Sequence, residues 1–306
     1  MTPTKGFQAY AESQSTEFNR ISNISYEKNL KVGDIIGKDT NNRLGLKGQY
    51  EVMLVSNNET SGFQGVLLQN RDNKQYFVSM RGTEFDTLSD NMDNLGMAFD
   101  NISNQEVDAN RLVEQSLDKI TTDNQKIKTR EEAKSYLTLT GHSKGGGIAQ
   151  LVAEKQHIKA VTFNPFGARS LLINGIDCVN ESNILKQGVC YVATMVERIK
   201  RDTKSIPTPW ADKGNIINFI SEKDKVSTTI TDTFGGRMGT YVVLADSSNV
   251  IKAHKNDHMH KLLIKHQGEQ RKCGYKTMEE AALAIRNNKT QTCEAPMHHA
   301  GYGMSF

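Results

Sequence analysis

Tyr136-Leu137-Thr138-Leu139-Thr140-Gly141-His142-Ser143-Lys144-Gly145-Gly146-Gly147-Ile148-Ala149 joins a strand pattern to a helix pattern through Gly-x-Ser-x-Gly. Leu137 and Leu139 alternate with Thr138 and Thr140, the period of a strand, whereas Ile148, Ala149, Leu151, Val152 and Ala153 form the apolar stripe of a helix laid on a sheet. A turn between two such elements lifts one serine hydroxyl clear of the backbone at the carboxyl edge of the sheet. It holds that serine in a strained conformation that only small neighbours tolerate, and Gly141, Gly145 and Gly146 leave the room. The pattern is short enough to recur in ordinary glycine-rich turns. The strand before it and the helix after it are what give it weight.

Working outward, residues 51–56, 63–69 and 75–80 are rich in Val, Leu, Phe and Tyr and are separated by runs of Asn, Asp, Gly and Ser, which reads as an antiparallel meander. Before it, residues 7–30 are polar and weakly helical, with Phe7, Tyr10, Ala11 and Phe18 as the positions to bury. Ala109, Leu112, Val113, Ser116, Leu117 and Ile120 recur at offsets of three and four, the spacing of an amphipathic helix. Residues 160–164, 215–220 and 241–244 read as further strands, and the alternation of strand and helix from about residue 105 calls for a mostly parallel sheet with right-handed crossovers. The expectation is an α/β protein, one domain over residues 1–306, with an amino-terminal helix near residues 5–30. A polar carboxyl-terminal extension runs from about 267 to 306, with one helix near 278–286.

Composition bounds the function. Of 306 residues, 37% are hydrophobic and 24% charged, and no change of composition marks an internal boundary. The net charge of +3 comes from interspersed signs, so there is no electrostatic case for a nucleic-acid partner. No stretch approaches the roughly 18 apolar residues that span a bilayer, and the first sixteen residues lack the basic region and apolar core of a secretory signal. The expectation is a protein that is not transmembrane and is either cytoplasmic or exported without such a signal. Cys178, Cys190, Cys273 and Cys293 are too few for a disulfide scaffold and lack zinc-finger spacing; a Cys178–Cys190 bridge across a loop is one option.

A serine hydroxyl becomes a nucleophile at neutral pH when a histidine accepts its proton and a carboxylate orients that histidine. In this class of elbow the chain order is serine, acid, histidine. Asp224, just past an apolar strand, is the expected acid, with Glu222 in reserve. After it come His254, His258, His260 and His266. His258 is preferred, because it sits where a loop leads into an amphipathic helix, and His254 and His260 stay as alternatives. The oxyanion requires the backbone N–H of the residue after the nucleophile, Lys144, and a second donor from an earlier loop, for which Thr83 in Met80-Arg81-Gly82-Thr83 is suited. Arg81 itself reads as a structural ion-pair partner. His254-Lys255-Asn256-Asp257-His258 has the two-histidine spacing of a zinc helix, but Lys255 stands where the general-base glutamate belongs. Neither metal nor cofactor is called for.

These residues resemble the class 3 lipase group of α/β-hydrolases, particularly bacterial phospholipase A1-like members. The likeness runs over roughly residues 20–265. It is carried by Ser61-Gly62-Phe63-Gln64-Gly65-Val66-Leu67, Met80-Arg81-Gly82-Thr83-Glu84, the elbow itself, Ala160-Val161-Thr162-Phe163-Asn164-Pro165-Phe166-Gly167 and the stretch from Asn218 to Val226. The resemblance implies an α/β-hydrolase fold and hydrolysis of lipid carboxylic esters, as a phospholipase A1 or lipase, through an acyl-enzyme on Ser143 with His258 as base then acid. Its partners would be a lipid or phospholipid ester and, transiently, a membrane surface. The group more often has leucine where Lys144 stands, and extra histidines crowd the base. The segment 84–101, with Leu88, Met92, Leu95, Met97 and Phe99, reads equally as a lid or as a packed helix. Two other functions stay open: an esterase or thioesterase on a soluble substrate, and a catalytically silent hydrolase-fold binding protein.

Overall fold

The structure, a computed structural model, describes residues 3–38, 44–82, 102–172, 207–225, 227 and 236–288. Among them, eight strands form one sheet in chain order: β1 (Ile35–Gly37), β2 (Gln49–Asn58), β3 (Phe63–Asn70), β4 (Tyr76–Met80), β5 (Leu137–His142), β6 (Lys159–Phe163), β7 (Ile216–Ser221) and β8 (Thr240–Leu244). β1 to β4 pair antiparallel and β4 to β8 pair parallel, so the expected meander feeds a parallel half. The turns follow from local chemistry. Asn58 Oδ1 accepts from the Thr60 and Ser61 N–H groups ahead of β3, and Asn70 Oδ1 accepts from Asp72 and Asn73 ahead of β4, so each asparagine side chain closes its own turn.

Helices cover both faces. On one lie α3 (Ile102–Asp123), α4 (Arg130–Tyr136) and α5 (Lys144–Gln156); on the other lie α1 (Pro3–Ser13), α2 (Ser15–Ile24), α7 (Asn256–Cys273) and α8 (Met278–Arg286), with the short α6 (Val250–His254) at the sheet edge. β4 shows how the strand period sorts the core. Tyr76, Val78 and Met80 pack with Leu112, Leu117, Ile148 and Leu151, whereas Phe77 packs with Phe18, Ile21, Met259 and Leu263. This is the α/β-hydrolase arrangement anticipated from the elbow.

The strands lie within about two residues of the expected spans, while the connections differ more. The amino-terminal helix is two helices ending at Ile24, broken at Gln14, where the hydroxyls of Ser13 and Ser15 donate to the Tyr10 and Glu12 carbonyls and compete with helix propagation. β1 and α4 were not anticipated: the first is three residues long, and the second is nucleated by the Thr129/Glu132 capping box. At the other end, α7 continues past residue 267, and α8 stands where a helix was expected. Gln267 donates to Glu12 O and Ser15 Oγ, and the Met278 N–H to Glu12 Oε2, so this polar stretch ties down the break between α1 and α2. Cys273 is disulfide-bonded, while Cys178 and Cys190 lie outside the described residues. No described helix is long and apolar enough to cross a membrane.

Candidate active site

Ser143 stands alone between β5 and α5 with φ 57° and ψ −126°, a conformation that costs an L-residue of order 1–3 kcal/mol and persists only when its surroundings impose it. They do. A Cβ on Gly145 would lie 2.3 Å from Met80 O, and one on Gly141 would lie 2.5 Å from Gly145 C. The first turn of α5 therefore touches the ends of β4 and β5 backbone to backbone. Ser143 N–H donates to Phe163 O at 3.1 Å, and Ser143 O accepts from Gly147 and Phe166.

The histidine that meets this serine is His254. Its Nε2 lies 3.0 Å from Ser143 Oγ, and its Nδ1 lies 2.9 Å from both oxygens of Asp224. Asp224 follows β7, as anticipated, and its oxygens also accept from the Ser227 N–H at 3.1 Å and the Ser227 hydroxyl at 2.5 Å. Burial pushes the Asp224 carboxyl up. The nearby His254 and the hydrogen bonds from His254 and Ser227 outweigh it and hold the group below its usual range. Because an ionised Asp224 only accepts, Nδ1 of His254 carries the proton and Nε2 is left to accept from Ser143. All three side chains are closed off from solvent.

His258 is elsewhere, which corrects the preferred reading. Its Nε2 faces the Asp246 carboxylate at 3.0 and 3.1 Å, and Asp246 also accepts from Ser221 Oγ at 2.7 Å. The cause is Lys255. Its extended backbone, φ −65° and ψ 134°, separates α6 from α7, so two histidines four residues apart do not share a helix face. His260 lies on the α2 side, where burial and the charge of Arg20 lower its pKa to about 4. Glu222, the reserve acid, pairs with Arg286 and accepts from the Asp246 N–H.

Two further residues complete the geometry. Burial drives the His142 imidazole down to about 3; neutral, it donates from Nε2 to His254 O at 2.7 Å. Asn164, left-handed at φ 42°, donates from Nδ2 to Ala253 O at 2.9 Å, accepts from Ser221 N–H at 2.9 Å and donates its own N–H to Phe219 O at 2.8 Å. It thus ties β6 to the strand carrying the acid and to the helix carrying the histidine. Phe166 stacks on His254, with centroids 6.0 Å apart. An asparagine directly after an apolar strand is the signal that was available for Asn164, since that residue type tolerates left-handed backbone.

Lys144 opens α5, so its backbone N–H lies among those without an intrahelical partner. The residue is 9% exposed, and burial together with the charge of Arg81 lowers its pKa to about 8. Arg81 donates to Gln64 and lies over the Tyr26 ring at 5.6 Å. Gly82 packs against the elbow, where a Cβ would lie 3.4 Å from Ser143 Cβ. Thr83 and the segment 84–101 lie outside the described residues.

By structure, the chain is similar to Lip2 lipase from Yarrowia lipolytica at 14% identity, over 77% of this chain and 79% of that one, with a TM-score of 0.45. It is also similar to an MDLA variant from Penicillium cyclopium at 14% identity, over 78% and 82%, with a TM-score of 0.48. A third likeness is to a fungal lipase at 15% identity, over 78% and 81%, with a TM-score of 0.49. No curated protein matches the chain in sequence. The family model of the Tle-like phospholipase domain matches residues 34–243, from the start of the sheet almost to the end of β8. That span holds most of the sheet, the elbow and Asp224, and the chain belongs to the family of Tle-like phospholipase domains.

Proposed function

We propose that this domain hydrolyses carboxylic esters of lipids as a phospholipase A1, by acyl transfer through Ser143. The observation that carries the reading is the unbroken hydrogen-bonded chain Ser143 Oγ, His254 Nε2, His254 Nδ1, Asp224, with the serine in a strained turn. Family membership supplies the substrate class. His254 Nε2 takes the proton of Ser143 as Oγ attacks the acyl carbon, and the tetrahedral oxyanion is met by the Lys144 N–H, with Thr83 in the role of second donor. The imidazolium, stabilised by Asp224, then gives its proton to the departing glycerol oxygen. Water repeats the sequence on the acyl-enzyme, releasing fatty acid and restoring Ser143.

Purified protein is expected to cleave a short-chain nitrophenyl ester, and Ser143→Ala to lower kcat by about a thousandfold or more at unchanged thermal stability. Full activity in that variant would overturn the reading. On phospholipid vesicles the expected product is free fatty acid from the first position. Release from the second position would replace the phospholipase A1 assignment.

A further inference from the structure

Lys144, the residue directly after the nucleophile, carries an ammonium that the acyl-transfer chemistry does not use. It is 9% exposed, and no hydrogen bond or ion pair from any described residue reaches it. A cation largely shielded from water and without a partner among the described residues is poorly compensated, so its presence needs a reason. Lys144 is the first residue of α5, and side chains in a helix tilt toward its amino terminus. That tilt directs this side chain toward the carboxyl edge of the sheet, where β5 ends. The charged group that acts on it is Arg81, directly after β4 on the same edge, anchored by Gln64 and Tyr26. The two side chains bring like charge to the edge where a 13-residue helix begins. Such a place repels cations and stabilises an anion.

We propose that the Lys144 ammonium reads the substrate's phosphate: the phosphodiester of a glycerophospholipid, a few bonds from the ester under attack at Ser143, is the partner this side chain lacks. This rests on the hydrolase reading above and adds to it the residue that separates phospholipid from neutral glyceride.

The test measures kcat and KM on phosphatidylglycerol and on diacylglycerol of the same acyl chains, in the same mixed micelles, for wild type, K144M and K144R. K144M is expected to lower the phosphatidylglycerol to diacylglycerol ratio of kcat/KM about tenfold or more, the range for a hydrogen bond to a charged group, chiefly through KM. K144R is expected to stay within about threefold of wild type on the same scale. Thermal unfolding of K144M should not be lowered, since it removes an unpartnered charge; if that variant does not fold, K144Q carries the same comparison. An unchanged ratio, or an equal fall on both lipids, overturns the phosphate assignment while leaving the hydrolase reading intact. Hydrolysis of both lipids by Ser143→Ala overturns the hydrolase reading instead, and this proposal with it.

Discussion

His254 and His258 each hold a carboxylate, and what separates them is which one also faces Ser143. His254→Ala is expected to lower kcat by a factor of about 10³ or more, whereas His258→Ala should retain most activity. The second variant leaves Asp246 buried without its imidazole, at a cost of about 1–3 kcal/mol. Steady-state kinetics and thermal melts on both variants separate the roles, and the reverse pattern would restore His258 as the base. Ser143 was legible because the elbow is a local pattern, and Asp224 because an acid directly after an apolar strand is nearly local. The partner of Ser143 was not, because the choice between two histidines turns on the extended backbone of Lys255, a residue with no bias toward ending a helix.

At the scale of elements, the site is a meeting of strand ends. β5 delivers the serine, the loop after β7 the acid and α6 the imidazole, and Asn164 after β6 bonds to the last residue of β7 and to α6. Asn164→Ala removes a donor to the Ala253 carbonyl and an acceptor for the Ser221 N–H, both buried, so it is expected to loosen the His254 carrier relative to the acid. We expect kcat to fall about tenfold to a hundredfold, in keeping with the cost of small misplacements of catalytic groups, with KM little changed. A kcat within twofold of wild type would show that the strand ends hold their register without this side chain. The strands other than β1 were readable from their apolar content, and β4 and β7, buried along their whole length between two helical layers, are the near-continuous apolar runs such burial requires. The breaks at Gln14 and Lys255 were not, since backbone competition by Ser13 and Ser15 and tertiary packing decide them.

Across the whole molecule, the buried histidines couple the fold to pH. His142, His260 and His266 all have lowered pKa values, in each case first because burial disfavours the charged form, with His142 at about 3 and His260 at about 4. The unfolded chain protonates these residues near 6.5 while the folded one does not, so stability is full above about 6.5 and falls as pH drops toward 4 and below. For His142 alone the loss at pH 5 is about 2 kcal/mol at 1.4 kcal/mol per pH unit. Asp224 and Asp246, held below their usual range, lose their contribution only under about 3.8, which separates the two effects on the pH axis. Thermal midpoints are therefore expected to fall by a few degrees between pH 7.5 and 5. His142→Gln, which still offers an N–H to the His254 carbonyl but takes up no proton, should reduce that fall. A midpoint constant down to pH 4.5, or a fall equally large in His142→Gln, would mean that the histidine below the elbow is not the group that makes this fold sensitive to acid.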